Sequence, residues 1–179
     1  MVQILGSVGE VATEWGVEDA LLNVSHLGYA YVETLRASVE VSERAKIQAG
    51  AAYTRERRIV LNGALLVPGH ERDRNATFLH ECAHILADLK HGRNCRHDWR
   101  WEQVMEMLGQ DPVVRHKIDY ISARAHAVVT WSCENCGEQY YFVRPPRRRI
   151  QDCYCRPCGP RRGQLRITRE RGYEGRDAR

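Results

Sequence analysis

The sequence predicts an α+β fold in two parts, a core of helices on a short sheet followed by a small C-terminal ribbon held by cysteines. Three observations carry that reading. Residues 79–86 read LHECAHIL, with apolar side chains at helical spacing around two histidines. Upstream, short β-branched runs are separated by glycines and polar turns, as strands are. Downstream, the pattern CxxCG occurs twice, at 133–137 and 155–159, in a segment too small to fold on its own apolar burial.

Taken in order, Val17, Ala20, Leu21, Val24, Tyr31 and Leu35 repeat with helical spacing and predict a first helix over residues 16–36. Strands are expected at 38–41, 47–53 and 58–61, punctuated by Gly50, the polar stretch 54–57 and Gly63. The next helix carries the stripe Leu79, Cys82, Ala83 and Leu86 beside its histidines, and Gly92 is its stop. A further helix follows on the stripe Trp101, Val104, Met105 and Leu108. In the ribbon, QYYFVR and GQLRIT read as short strands. The expected division is 1–126 for the core, 127–168 for the ribbon and 169–179 for a disordered basic tail.

Length and composition fit one modest core with a small appendage: 179 residues, of which 43% are hydrophobic. The N-terminal MVQILGSVGEVATEWG has no cationic start followed by an apolar run, and no stretch approaches membrane-spanning length. The expectation is a cytoplasmic protein without a membrane partner. In that reducing compartment seven cysteines point to metal binding rather than to disulfides.

His80 and His84 stand four residues apart, so on a helix they project from one face and can share a metal ion, with Glu81 beside them. Two neutral imidazoles leave positions for a third ligand and for water, and the carboxylate can take a proton from that water. This is the HExxH pattern of a zinc-dependent peptidase. The alternative, a surface helix with solvated histidines, is disfavoured because the apolar stripe makes these residues border the core. For the third ligand, His91 would lie about 10 Å along the axis from His84 and is too far to share the metal. His97 precedes Trp101 by four residues and would be pointed back by the returning helix. It is favoured over Glu102 and Glu106, which fall off that stripe. The metzincin pattern is excluded, since it requires glycine at Ala87 and histidine at Lys90.

Cys133, Cys136, Cys155 and Cys158 have the spacing of a four-cysteine structural zinc site. A redox role for the CxxC pairs is the competing reading, and Cys153 could stand in for Cys155, though the repeated CxxCG argues against it. Cys82 is expected to be a buried hydrophobe, and Cys95 has no assigned role. The charge is divided. Residues 144–179 hold twelve arginines against four acids, whereas the remainder carries a net −4. Arg144, Arg147, Arg148 and Arg149 lie between the cysteine pairs, and Arg161 and Arg162 follow the second. With Tyr140, Tyr141 and Tyr154 interleaved, they suggest a surface for phosphates and stacked bases. The competing account is a solubilising charged surface.

The motif set His80, Glu81, His84, His97 and Trp101, together with residues 50–66 upstream and the ribbon entry at 123–137, resembles the SprT-like zinc metalloproteases of bacteria and eukaryotes. The resemblance covers most of residues 15–168. It implies a small zincin-like core whose best-known relatives act on proteins covalently trapped on DNA, hence a location with the cell's DNA, nucleoid or nuclear.

The combined expectation is a zinc endopeptidase with two Zn²⁺ ions per chain. His80, His84 and His97 would hold the catalytic ion and Glu81 would be the general base, while the four ribbon cysteines would hold the structural ion. Protein substrates and DNA, single- or double-stranded, are the expected partners. The competing functions are a non-proteolytic nucleic-acid-binding adaptor and an intracellular protease with substrates unrelated to DNA. Residues 58–61 are the strand expected to hold substrate backbone. Asp88 is a candidate to orient His84, an exposed helical aspartate being the alternative. Tyr120, His116 and His126 are candidates to stabilise an oxyanion.

Overall fold

Strand β1 (Val2–Ser7) runs directly into helix α1 (Val8–Trp15), and a reciprocal cap marks the junction. The Glu10 N–H donates to Ser7 Oγ at 3.3 Å, while Glu10 Oε2 accepts the Ser7 N–H at 2.8 Å. Neither element was expected. The helix expected over 16–36 is in fact three pieces: α2 (Glu18–Leu22), a 3₁₀ turn (Ser25–Leu27) and α3 (Tyr29–Leu35). α2 already ends at Leu22, and the second break falls at Gly28, whose φ of 56° and ψ of −114° suit only a residue without Cβ. The computed structural model describes residues 2–114 and 118–170.

Strands β2 (Ser38–Ser42), β3 (Gly50–Tyr53) and β4 (Arg58–Asn62) join β1 in a sheet of order β1-β2-β4-β3. β2 and β4 run parallel, and the other pairs are antiparallel. Val39, Val41, Ile59 and Leu61 fill the buried face at the two-residue period of a strand. One expectation is overturned here. Residues 58–61 lie in β4, which is paired on both sides, so β4 offers no edge to a substrate. The sheet edge on that side is β3.

Helix α4 (Glu71–His91) lies against α3, β3, β4 and α5 (Trp99–Met107). It is buried nearly all round from Thr77 to Ala87, including the expected stripe of Leu79, Cys82, Ala83 and Leu86. Small side chains at Ala83 and Ala87 suit such a central helix. Gly92 ends it at φ 64°, as expected, and Asp98 caps α5 by accepting the Arg100 N–H at 2.9 Å. Trp101, Val104, Met105 and Leu108 are buried as their spacing predicts.

The chain divides into two units, residues 1–118 and 119–179. In the second, β5 (Val129–Cys133) is the centre of an antiparallel sheet between β6 (Gln139–Phe142) and β7 (Leu165–Glu170), with a short helix α6 (Gly159–Arg162). Trp131 is buried against Phe142, ring centres 4.6 Å apart. β7 reaches Glu170, so Arg169 belongs to the sheet and not to the expected tail; residues 171–179 lie outside the described residues. The chain is α+β, as its sequence predicts. No helix among the described residues is long and apolar enough to cross a membrane.

Candidate metal centres

Helix α4 and the loop before α5 bring three imidazoles to one point. His97 Nε2 lies 3.2 Å from His80 Nε2 and 3.1 Å from His84 Nε2. Tetrahedral zinc with Zn–N bonds near 2 Å places its ligand nitrogens about 3.3 Å apart. The three histidines therefore fit such an ion, and a three-nitrogen set leaves a coordination position open. Fully buried Trp101 backs all three rings, with centres at 4.8, 5.4 and 4.6 Å from His80, His84 and His97. Burial lowers the His84 pKa to about 4, helped by the neighbouring His97, so at neutral pH this ring is in the uncharged form that binds metal. Glu102 and Glu106 are exposed on α5 and outside the cluster. His91 is also outside it, its ring facing Trp99.

Glu81 is buried at the same helix turn, with an exposure of 6%. Burial raises its carboxyl to about 8, opposed by the Ala52 N–H, which favours the charged form. A divalent cation held by the imidazoles would add to the Ala52 side of that balance. Ala52 belongs to β3, so the edge strand and the glutamate are in direct contact. Gly50 makes that approach possible. A Cβ there would sit 2.8 Å from Glu81 Oε1 and 2.9 Å from Thr77 Cγ2. The sequence marks Gly50 only as punctuation.

The support for His84 and His97 differs from expectation. The ring nitrogen of His84 that faces away from the cluster bonds the Arg96 backbone, not Asp88. Arg96 holds a left-handed φ of 49°, rare for a residue with Cβ. Asp88 is neither an orienter of His84 nor an exposed aspartate. Its Oδ1 accepts the Cys95 N–H at 2.7 Å and its Oδ2 accepts the Thr54 hydroxyl at 2.8 Å. It thus ties the end of α4 to the His97 loop and to the turn after β3. His97 itself precedes the α5 cap and sits on that loop, not on the returning helix. Cys95, without a role in the sequence, is the buried anchor of this turn, and Cys82 is the buried hydrophobe expected.

In the second unit Cys133, Cys136, Cys155 and Cys158 converge, with Sγ separations of 3.8 Å for Cys133 and Cys158 and 3.6 Å for Cys136 and Cys155. Zn–S bonds of about 2.3 Å put thiolates about 3.8 Å apart, so this set fits a closed structural zinc. Cys153 is outside the cluster. Gly137 and Gly159 take φ of 76° and 71°, the left-handed turn each CxxCG knuckle needs. Backbone N–H groups, that of Cys136 first, pull the Cys133 thiol down to about 7. Asn135 Nδ2 and Tyr140 Oη donate to Cys158 and Cys155 at 3.2 Å. Tyr140 thus supports the cluster through its hydroxyl, with its ring half-buried, while Tyr154 is exposed.

Arg144, Arg147, Arg148, Arg149, Arg161 and Arg162 are all exposed, and none forms an ion pair with a described residue. Tyr120 and His126, whose ring bonds the Tyr120 carbonyl at 2.9 Å, belong to the second unit. His116 lies outside the described residues.

Compared with known protein families, the chain matches the model described as the SprT-like family over residues 20–120, which includes the three histidines, Glu81 and β3. No curated protein and no solved structure matches it.

Proposed function

Because the chain belongs to the SprT-like family, of metallopeptidase type, we propose that it is a zinc-dependent endopeptidase with a zincin-like active site, acting on proteins bound or crosslinked to DNA. The convergence of three imidazole nitrogens at 3.1 and 3.2 Å beside a buried glutamate is the observation that carries this reading. His80, His84 and His97 would hold the catalytic Zn²⁺, and the four ribbon cysteines a second, structural ion. When bound, the catalytic ion supplies Lewis-acid polarisation of the scissile carbonyl and acidifies water. Glu81 takes the proton of the attacking water and passes it to the departing amine. Its burial keeps bulk water from competing for that proton.

The open edge of β3 pairs with an extended stretch of substrate backbone and lays it across Glu81. The exposed arginines of the second unit supply the sequence-independent attraction to phosphates that would bring the enzyme to DNA. The test is cleavage of a DNA-binding protein by the intact chain, with and without single- and double-stranded DNA, against Glu81→Gln. Cleavage that requires Glu81 and rises with DNA is the expected result. No cleavage by either chain, with nucleic acid still bound, would make this an adaptor. Cleavage indifferent to DNA would leave a protease of other substrates.

A further inference from the structure

Cationic charge is concentrated in the second unit, yet the loop that delivers His97 is also basic. Residues 89–101 hold Lys90, Arg93, Arg96 and Arg100 against one acid, Asp98. Asp98 is taken by Arg100 at 2.8 Å, and that guanidinium also lies over the Trp99 ring at 4.6 Å. Lys90, Arg93 and Arg96 are exposed and form no ion pair with any described residue. An open depression of about 650 Å³ is lined by Arg93, Asn94, Cys95, Arg96, His97 and Asp98, and Lys90 lies outside this lining at the end of α4. The depression therefore shares a wall with the three-histidine cluster. Trp99 is 54% exposed at the start of α5.

The loop is pre-set rather than floppy. Asp88 holds the Cys95 N–H, Asn94 Oδ1 accepts the Arg96 N–H at 3.1 Å, and Asp98 caps α5. Its cations are thus presented from a fixed frame, which lowers the entropy lost on meeting an anion. A single acidic side chain of a protein substrate would need one of these cations. Three uncompensated ones beside an exposed indole fit a repeating anion with flat bases.

We propose that this loop is a second nucleic-acid contact, on the metal-centre unit itself. Arg93 and Arg96 take the phosphates of a single-stranded segment in the depression beside His97, Lys90 takes a further phosphate from the end of α4, and Trp99 stacks on an unpaired base. The inference shares with the proposed function the class of partner but does not depend on the ribbon arginines. It places a nucleic-acid strand at the wall of the metal centre, where a protein attached to that strand is within reach.

The experiment uses the full zinc-loaded chain and a fluorescently labelled oligo-dT, with anisotropy read across a salt series. Three variants are compared: Lys90→Gln with Arg93→Gln, Trp99→Ala, and Arg147, Arg148 and Arg149 to Gln. Zinc content and thermal melting of each confirm an intact fold. The loop double variant is expected to flatten the log–log salt slope by about 1.4, for two lost phosphate contacts at roughly 0.7 each on a single strand. Trp99→Ala should weaken binding about tenfold. The loop substitutions should weaken binding further in the ribbon-triple background, and Arg93→Lys should keep the slope. Unchanged affinity and slope in the loop variants, with binding abolished by the ribbon triple, would overturn the loop contact and leave the proposed function standing. Binding of no nucleic acid by the unmodified chain would remove both the loop contact and the DNA-directed part of the proposed function. Unchanged oligonucleotide binding with selective loss of cleavage of acidic over neutral peptides would make the loop a side-chain subsite instead.

Discussion

The two candidate metal centres reach similar convergence by opposite routes. The histidine cluster is a product of its unit's fold, because α4 is buried nearly all round and Trp101, itself fully buried, backs the rings. The thiolate cluster works the other way. Among its described residues, its unit has three short strands, one four-residue helix and 3₁₀ turns, with Trp131 among its few large buried side chains. Here a metal ion shared by the four cysteines would hold the segment together. The difference teaches that an open site with room for substrate needs a core to hold its ligands, whereas a closed site can replace the core.

The largest effect should come from breaking the second route. Cys133→Ser with Cys136→Ser removes half the thiolate set, and zinc binding to such a site is worth on the order of 10 kcal/mol of folding free energy. The second unit should lose its protection in hydrogen exchange while the first keeps it, and bound zinc should fall from two ions to one. Equal loss of protection in both units would show that the first does not fold on its own core.

Glu81→Gln sharpens the contrast from the other side. It removes the proton acceptor but no ligand, so turnover should fall by about a hundred- to ten-thousand-fold with zinc content and melting temperature kept. Gln matches the size of Glu, so the close contact with Gly50 is preserved. Loss of zinc in this variant would make Glu81 part of the metal's support.

A smaller effect is expected at Asp88. Asp88→Ala frees the Cys95 N–H and the Thr54 hydroxyl together, loosening the loop that positions His97 and the Arg96 backbone. Zinc affinity at the histidine site, read by competition with a chelating dye, should drop about tenfold, the lower end of the range for groups that orient metal ligands. The thiolate site should not change. The smallest effect is Asp98→Ala, which removes the α5 cap at a cost of about 1 kcal/mol. It should lower the melting temperature of the first unit by a few degrees and leave the ribbon untouched.

What was legible in the sequence follows from how far each feature reaches along the chain. His80, Glu81 and His84 lie within one helical turn, and His97 could be linked to them through the stripe that begins at Trp101. The cysteine pairs announced themselves by repetition. The helix expected at 16–36 failed because apolar spacing is blind to where the backbone leaves helical geometry: α2 stops at Leu22 and Gly28 breaks the chain again before α3, while Leu21 and Val24 stay buried. β1 and α1 were missed although Ser7 and Glu10 form a capping box, because that signal lies outside hydrophobic periodicity. The place of β4 inside the sheet, the passage of Gly50 against Glu81 and the clasp of Asp88 on Thr54 and Cys95 all join distant parts of the chain, and no local pattern encodes them.

The sheet edge beside Glu81 has a consequence for substrate choice. β3 is four residues long, so at about 3.3 Å per residue its open side accepts roughly 13 Å of extended chain. An intact folded domain cannot offer such a stretch without first surrendering a loop or a terminus. On the proposed reading, the length of this ledge would act as a gauge of disorder: partly unravelled proteins would be admitted and well-folded ones spared.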